Sequence, residues 1–254
     1  MNRLALIAST AVLAASAAHA ASVNVELTLL VDVSISIDST EYARQRVGYR
    51  NAFQNLNFEA IVGAGNSVAV NYIEWSGTGQ QSIRSINAAH PDGWWLLTSQ
   101  ADCNAFAAHL NTLTHNPGTT TAPQSALQYA VTSGGMFTNS YTSARQIIDV
   151  SGDGPANSGL TGTLGRDAAI AAGVDQINGL VIGNEDNVLN YYLNNVQAGE
   201  GSFTMQANSF DVFHKAILDK LRMELGQSIP LPGAAAMGFL GIGAIACRRT
   251  RDRR

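Results

Sequence analysis

Five oxygen-bearing side chains, set in three separate stretches, carry most of the chemistry this chain could perform. Asp32, Ser34 and Ser36 alternate through Leu29-Leu30-Val31-Asp32-Val33-Ser34-Ile35-Ser36. A threonine run follows in Gly118-Thr119-Thr120-Thr121-Ala122-Pro123, and Asp153 stands in Ile147-Ile148-Asp149-Val150-Ser151-Gly152-Asp153-Gly154. Because side chains alternate across a strand and diverge where it ends, Asp32, Ser34 and Ser36 can turn three hard oxygens toward one point above a sheet edge. Carboxylate and hydroxyl oxygens in that arrangement are donors for a hard divalent cation. Each of the three stretches lies where an apolar run meets a polar loop. Counting back from a helix start at Ser125-Ala126-Leu127 favours Thr121 over its neighbours, with Thr119 and Thr120 as near alternatives.

The elements that must position these residues follow from the alternation of apolar runs with helical patterns, which predicts a doubly wound α/β fold with a mostly parallel sheet flanked by helices. Strands are expected near 25–33, 67–75, 146–150, 177–182 and 203–206. Helices are expected near 39–56, 99–113, 122–133, 164–172, 187–196 and 210–225. Between the second strand and second helix, 80–97 reads as an edge hairpin with Trp94 and Trp95 packed at its end. In an open α/β sheet, ligands bind at the carboxyl edge where the strand order switches, and the loops of Asp32, Thr121 and Asp153 fall on that edge.

The pattern resembles the metal-ion-dependent adhesion site of von Willebrand factor A domains: a DxSxS after the first strand, a threonine loop, and an aspartate before glycine after a central strand. Asp32, Ser34 and Ser36 match the first part, Thr121 the second and Asp153-Gly154 the third. The resemblance narrows to a bacterial family of exported A-like proteins with no assigned activity, of the domain-of-unknown-function 1194 type. It rests on VAVNYIEWSG, IIDVSGDGPAN, INGLVIGN and YYLNNV, and it spans roughly Val23 to Leu225. It implies a single A-like domain over 21–226. It also implies an Mg²⁺ or Mn²⁺ ion, with Ca²⁺ possible, bound directly by the serines and threonine, with the aspartates acting largely through water. Such an ion accepts a carboxylate from a partner as its last ligand.

Both ends read as sorting signals. Residues 1–20 combine Arg3, an Ala- and Leu-rich apolar stretch and the small-residue site Ala18-His19-Ala20, the pattern of a cleaved signal peptide. At the other end, Ile229-Pro230-Leu231-Pro232 precedes an apolar run from Gly233 to Cys247 and an arginine cluster ending at Arg254. This 227–254 segment resembles a PEP-CTERM sorting tail of the Val-Pro-Leu-Pro-Ala variety, with Ile229 and Gly233 as departures from it. The resemblance implies transient or permanent membrane anchoring, a C-terminal sorting protease as partner, and a folded part facing the periplasm or exterior of a Gram-negative cell.

Without both ends the chain keeps 9 of its 15 Lys and Arg residues and 18 of its 19 Asp and Glu residues, a formal charge of about −9. An acidic surface of that kind excludes the cationic stripe that nucleic-acid binding requires. Cys103 would be the lone cysteine of the mature domain, which excludes an internal disulfide and reads as a packed residue. Asp38, Ser39 and Glu41 read as helix-capping residues, and Asp149 and Glu74 as structural carboxylates. His90, His109, His115 and His214 are scattered without zinc spacing, and His115 reads as a solvated loop residue. No GxSxG elbow or Walker lysine is present. The function expected is therefore a non-enzymatic, metal-dependent grip on an acidic group of a protein or polysaccharide. A metal-assisted hydrolase or phosphatase and a metal-free envelope scaffold stand as alternatives.

Overall fold

The runs VELTLLVD and VAVNYIEW are buried along their whole length, and they pair in parallel at the centre of the sheet. The computed structural model describes residues 20–226. The expected leader up to residue 19 and the sorting tail from 227 onward lie outside them. In chain order the elements are β1 (Ala21–Val23), β2 (Val25–Asp32), α1 (Ser39–Gln54), α2 (Phe58–Ile61), β3 (Val68–Trp75), β4 (Gln81–Ile83), β5 (Trp95–Leu97), α3 (Gln100–Leu110) and α4 (Pro123–Thr132). There follow β6 (Tyr141–Ser143), β7 (Gln146–Gly152), α5 (Leu164–Ala172), β8 (Gln176–Ile182), α6 (Asp186–Tyr191), a π-helical turn (Tyr192–Val196), β9 (Thr204–Ala207) and α7 (Phe213–Gly226).

The main sheet runs β3-β2-β7-β8-β9 in parallel, and β4 and β5 both lie antiparallel on the outer edge of β3. Chain order reverses at β2, whose neighbours are β3 on one side and β7 on the other. One face packs Leu27, Leu29, Val31, Val70 and Tyr72 against α1, α3 and α7 through Tyr49, Phe53, Phe106, Phe213 and Leu221. The other face packs Leu30, Ile73, Ile148, Val150 and Val181 against α4, α5 and α6 through Ala126, Leu127, Ala169 and Val188. The start of α1 is fixed as the sequence suggests. Asp38 Oδ1 accepts from the amides of Thr40 and Glu41, and Glu41 Oε2 accepts from the Asp38 amide. Among the described residues no helix is long and apolar enough to cross a membrane.

The expected edge hairpin over 80–97 is corrected. β4 and β5 do not pair with each other; β4 pairs with Ile73–Trp75 and β5 with Val68–Val70, so that together they cover the edge of β3. An uncovered eight-residue edge would leave a row of unpaired backbone groups, and two short antiparallel pieces close it. Trp94 and Trp95 then enter opposite faces, their indole N–H groups donating to Gly134 O at 3.3 Å and Ser85 O at 2.7 Å.

Strand β7 is tied to the last helix by a buried charge cluster. Lys220 Nζ, fully buried, lies 2.8 Å from Asp149 Oδ1 and donates to Glu224 Oε1 at 2.7 Å, while Asn178 Nδ2 donates to the same oxygen at 2.9 Å. Burial pushes the Asp149 carboxyl up to about 7, Lys220 opposes that shift and Glu224 adds to it. Asp149 is thus the structural carboxylate the sequence suggested. Removing the ammonium between them leaves Asp149 and Glu224 buried without it, so Lys220→Met is expected to lower stability by about 3–5 kcal/mol in urea unfolding, with Asp149→Asn in the same chain recovering part of it. A loss within error of zero would contradict the cluster's role.

Candidate functional site

The carboxyl ends of β2 and β7 stand side by side at the reversal of strand order, where an open α/β sheet leaves a crevice. Asp32 ends β2 and is fully buried; its Oδ1 accepts from the Ser34 amide at 2.7 Å, a local turn that folds the chain back over the strand end. Burial pushes its carboxyl up to about 8, the nearby Asp153 charge pushes in the same direction, and the Ser34 and Asp153 backbone amides ease the shift. Oδ2 of Asp32 is buried with no hydrogen-bond partner among the described residues.

Ser34 and Ser36 follow on the turn, their hydroxyl oxygens 3.2 Å apart. Ser36 is exposed and donates to Asp153 Oδ1 at 2.8 Å. Burial raises the Asp153 carboxyl and the Ser36 hydrogen bond partly offsets it. The threonine loop is sewn to the same edge by two backbone hydrogen bonds, Gly118 N–H to Val33 O at 2.8 Å and Ala122 N–H to Ser76 O at 3.0 Å. Gly118 is required there, since a Cβ would run into the Ser76 side chain.

Those bonds place Thr121, buried, beside the backbone of Gly154. Its hydroxyl oxygen lies 3.9 Å from where a Cβ on Gly154 would stand. Thr119 donates instead to Gln80 Oε1 at 2.8 Å, and Thr120 accepts from the Ser158 hydroxyl at 2.7 Å. Of the three threonines, Thr121 is the one turned toward Asp153-Gly154. The structure therefore brings Asp32, Ser34, Ser36 and Asp153 into one linked group, with Thr121 at its side.

Sequence reasoning missed three supporting residues. Asn157 grips Thr121 three times, accepting from its amide at 2.8 Å through Oδ1, donating to its carbonyl at 2.9 Å through the backbone and donating to its hydroxyl at 3.5 Å through Nδ2. Gln45 Nε2 donates to the Asp32 carbonyl at 3.3 Å from α1. Tyr192 is fully buried with its hydroxyl close to Gly152: a Cβ on that glycine would stand 2.6 Å from Tyr192 Oη and 2.7 Å from Asp32 Oδ2. Asn157 and Tyr192 lie inside IIDVSGDGPAN and YYLNNV, motifs visible in the sequence but silent about these contacts.

His115 is corrected from a solvated loop residue to a half-buried one. Its ring stacks on Tyr42 at 4.6 Å between centroids, and Tyr42 in turn donates to Glu74 at 2.7 Å, which Arg84 pairs at 3.0 Å. Burial lowers the His115 imidazole and pushes the Cys103 thiol up to about 12, which leaves Cys103 a packed and poorly nucleophilic residue. Among the described residues no three His, Cys, Asp or Glu side chains converge as a metal-holding group. What converges here is a set of hydroxyls with two carboxylates, the donor chemistry of hard cations.

Residues 22–229 match the family model described as Protein of unknown function (DUF1194). The chain belongs to the DUF1194 family. None of the curated proteins matches it in sequence. Among solved structures, it is similar to proximal thread matrix protein 1 from the mussel byssus, in a form with a zinc-occupied MIDAS motif. That match has a TM-score of 0.56 at 15% identity and covers 82% of this chain and 47% of that one. A von Willebrand factor type A protein from Catenulispora acidiphila gives 0.52 at 15% identity, over 82% and 44%. The pilus adhesin SpaC from Lactobacillus rhamnosus GG gives 0.51 at 14%, over 82% and 31%. The DUF1194 chain spans less than half the length of each of these proteins, and what it shares with them is the von Willebrand factor A fold.

The carboxyl shifts carry a signed pH dependence. The folded protein without an added ion keeps a proton on Asp32 that the unfolded chain releases above pH about 4, so stability falls as pH rises toward about 8, by up to roughly 1.4 kcal/mol per pH unit. Asp32→Asn is expected to flatten this slope and raise the urea midpoint at pH 7.5. Parallel slopes in the two proteins would contradict the assignment.

Proposed function

We propose that this DUF1194 protein is an exported binding module that holds a divalent cation at Ser34, Ser36 and Thr121 and uses it to grip an acidic group on a protein or polysaccharide partner. The observation that carries the reading is Asp32. A fully buried carboxylate with an unpartnered oxygen, next to a second carboxylate, is unfavourable without positive charge and is stabilised by it. Serine and threonine hydroxyls are neutral, so an ion held by them keeps its attraction for an outside carboxylate. Ser36 is exposed, which leaves that ion a side open to a partner.

Hard oxygen donors favour Mg²⁺ or Mn²⁺, with Ca²⁺ compatible. Three imidazoles are already engaged, which favours binding over catalysis: His109 Nε2 lies 2.9 Å from Arg84 O, His90 Nδ1 lies 3.1 Å from Trp94 O, and His115 stacks on Tyr42. On the sequence reading of its ends, the module works in the envelope or outside the cell, and its tail serves as a membrane stop for a sorting protease.

Calorimetric titration with Mg²⁺, Mn²⁺ and Ca²⁺ is the test. Wild type is expected to take up a single ion per chain. Asp32→Ala and Thr121→Ala are expected to weaken binding at least about ten-fold, while Thr119→Ala and Thr120→Ala keep it. No saturable uptake by wild type would sink the proposal. Sustained metal-dependent hydrolysis of phosphate or ester substrates, lost in Asp32→Ala, would replace it with the enzyme reading.

A further inference from the structure

We infer that the Tyr192 hydroxyl is a positioning group of the cation site: unpaired in the protein without an ion, it donates to Asp32 Oδ2 across the bare face of Gly152 once a cation has ionised that carboxyl. The inference rests on the cation reading of the site given above. Its geometric basis is a pair of orphans. Tyr192 Oη and Asp32 Oδ2 are both buried without a hydrogen-bond partner, and they flank the same glycine, within 2.6 and 2.7 Å of the point a Cβ would occupy. A buried tyrosine hydroxyl usually finds a partner, and a buried carboxylate oxygen needs a donor. Here each is the group the other lacks. Any side chain at position 152 would fill the space between them, so glycine keeps the approach open.

The surroundings fix the tyrosine in place. It opens the π-helical turn Tyr192–Val196, a rare local geometry that occurs frequently at functional sites. The turn is pinned to β8 by reciprocal backbone hydrogen bonds between Ile177 and Ala198, at 2.8 and 3.1 Å. The ring is packed in the apolar cluster with Val150, Val181 and Val196, leaving the hydroxyl as its polar tip. Burial, followed by the Asp32 and Asp153 charges, raises the Tyr192 hydroxyl well above its ordinary range, so it stays a proton donor at any physiological pH.

A donor on Oδ2 holds the Asp32 carboxylate in one orientation beneath the serine turn, as outer-shell partners do for the groups that surround metals. The role has an uncommon signature. In protein without an ion, Tyr192→Phe removes an unpartnered buried hydroxyl and keeps the ring, so the melting temperature should stay level or rise. Mn²⁺ affinity should nevertheless fall, by about ten-fold.

The experiment is Mn²⁺ titration of wild type and Tyr192→Phe at one pH, with thermal unfolding of both after chelation. Weaker Mn²⁺ binding beside an undiminished metal-free melting temperature is the expected result. Equal Mn²⁺ affinity in the two proteins overturns the inference and leaves the cation reading standing. A metal-free melting temperature that drops along with affinity also overturns it, since that is what a packing role gives. Failure of wild type itself to bind Mn²⁺ overturns the cation reading, and the inference with it. If Tyr192→Phe does not fold, nuclear magnetic resonance of wild type with Mg²⁺ decides: a slowly exchanging Tyr192 hydroxyl proton that appears on Mg²⁺ addition supports the role, and its absence refutes it.

Discussion

Asp32 must lie at the end of a strand that is covered on both faces, and that constraint organises the upper edge of the sheet. A carboxylate in such a place has no route to bulk water, so each of its contacts has to come from the protein or from something the protein holds. The Ser34 amide supplies one hydrogen bond by folding the chain back on itself, and in doing so sets Ser34 and Ser36 over the strand end. Gly152 on the neighbouring strand lets the carboxylate come close, and Asp153 just beyond it meets Ser36. The serine turn, the β7 glycine and the threonine loop are thus consequences of where one acid is buried.

The rest of the fold keeps that edge rigid. β2 is paired along its length on both sides, and β7 is fixed from the opposite face by Lys220 between Asp149 and Glu224. α1 reaches the strand end through Gln45, and α4 begins immediately after Thr121 with Pro123 at its first turn, where a missing N–H does no harm. Polar groups buried at this density hold a structure in one arrangement when their partners are complete. The exposed hydroxyl of Ser36 and the exposed Ile35 beside it, 73% accessible, are then the parts of the turn offered to solvent.

Much of this could be read from the sequence because apolar runs mark buried parallel strands and the oxygen-bearing residues sit where those runs end. The five strands of the parallel sheet follow from that pattern, and the gathering of Asp32, Ser34, Ser36 and Asp153 on one edge from the resemblance to A domains. What escaped depends on contacts distant in sequence. β4 and β5 are too short to show a period, and only the length of β3's free edge explains why both lie along it. Among the described residues β1 and β6 pair only with each other, through three residues each. That Thr119 meets Gln80, Thr120 meets Ser158 and Thr121 lies beside Gly154 depends on residues far away in the sequence. Asn157 and Tyr192 act through hydrogen bonding and burial, and neither leaves a periodic signal.

The central claim, that the serine turn and Thr121 surround a cation, is tested most directly by a crystal structure grown with Mn²⁺ and its anomalous scattering map. The account requires one strong peak within bonding distance of the Ser34, Ser36 and Thr121 hydroxyls, with Asp32 and Asp153 behind it. A map with no peak at the carboxyl ends of β2 and β7, at Mn²⁺ concentrations that saturate binding in solution, would contradict it.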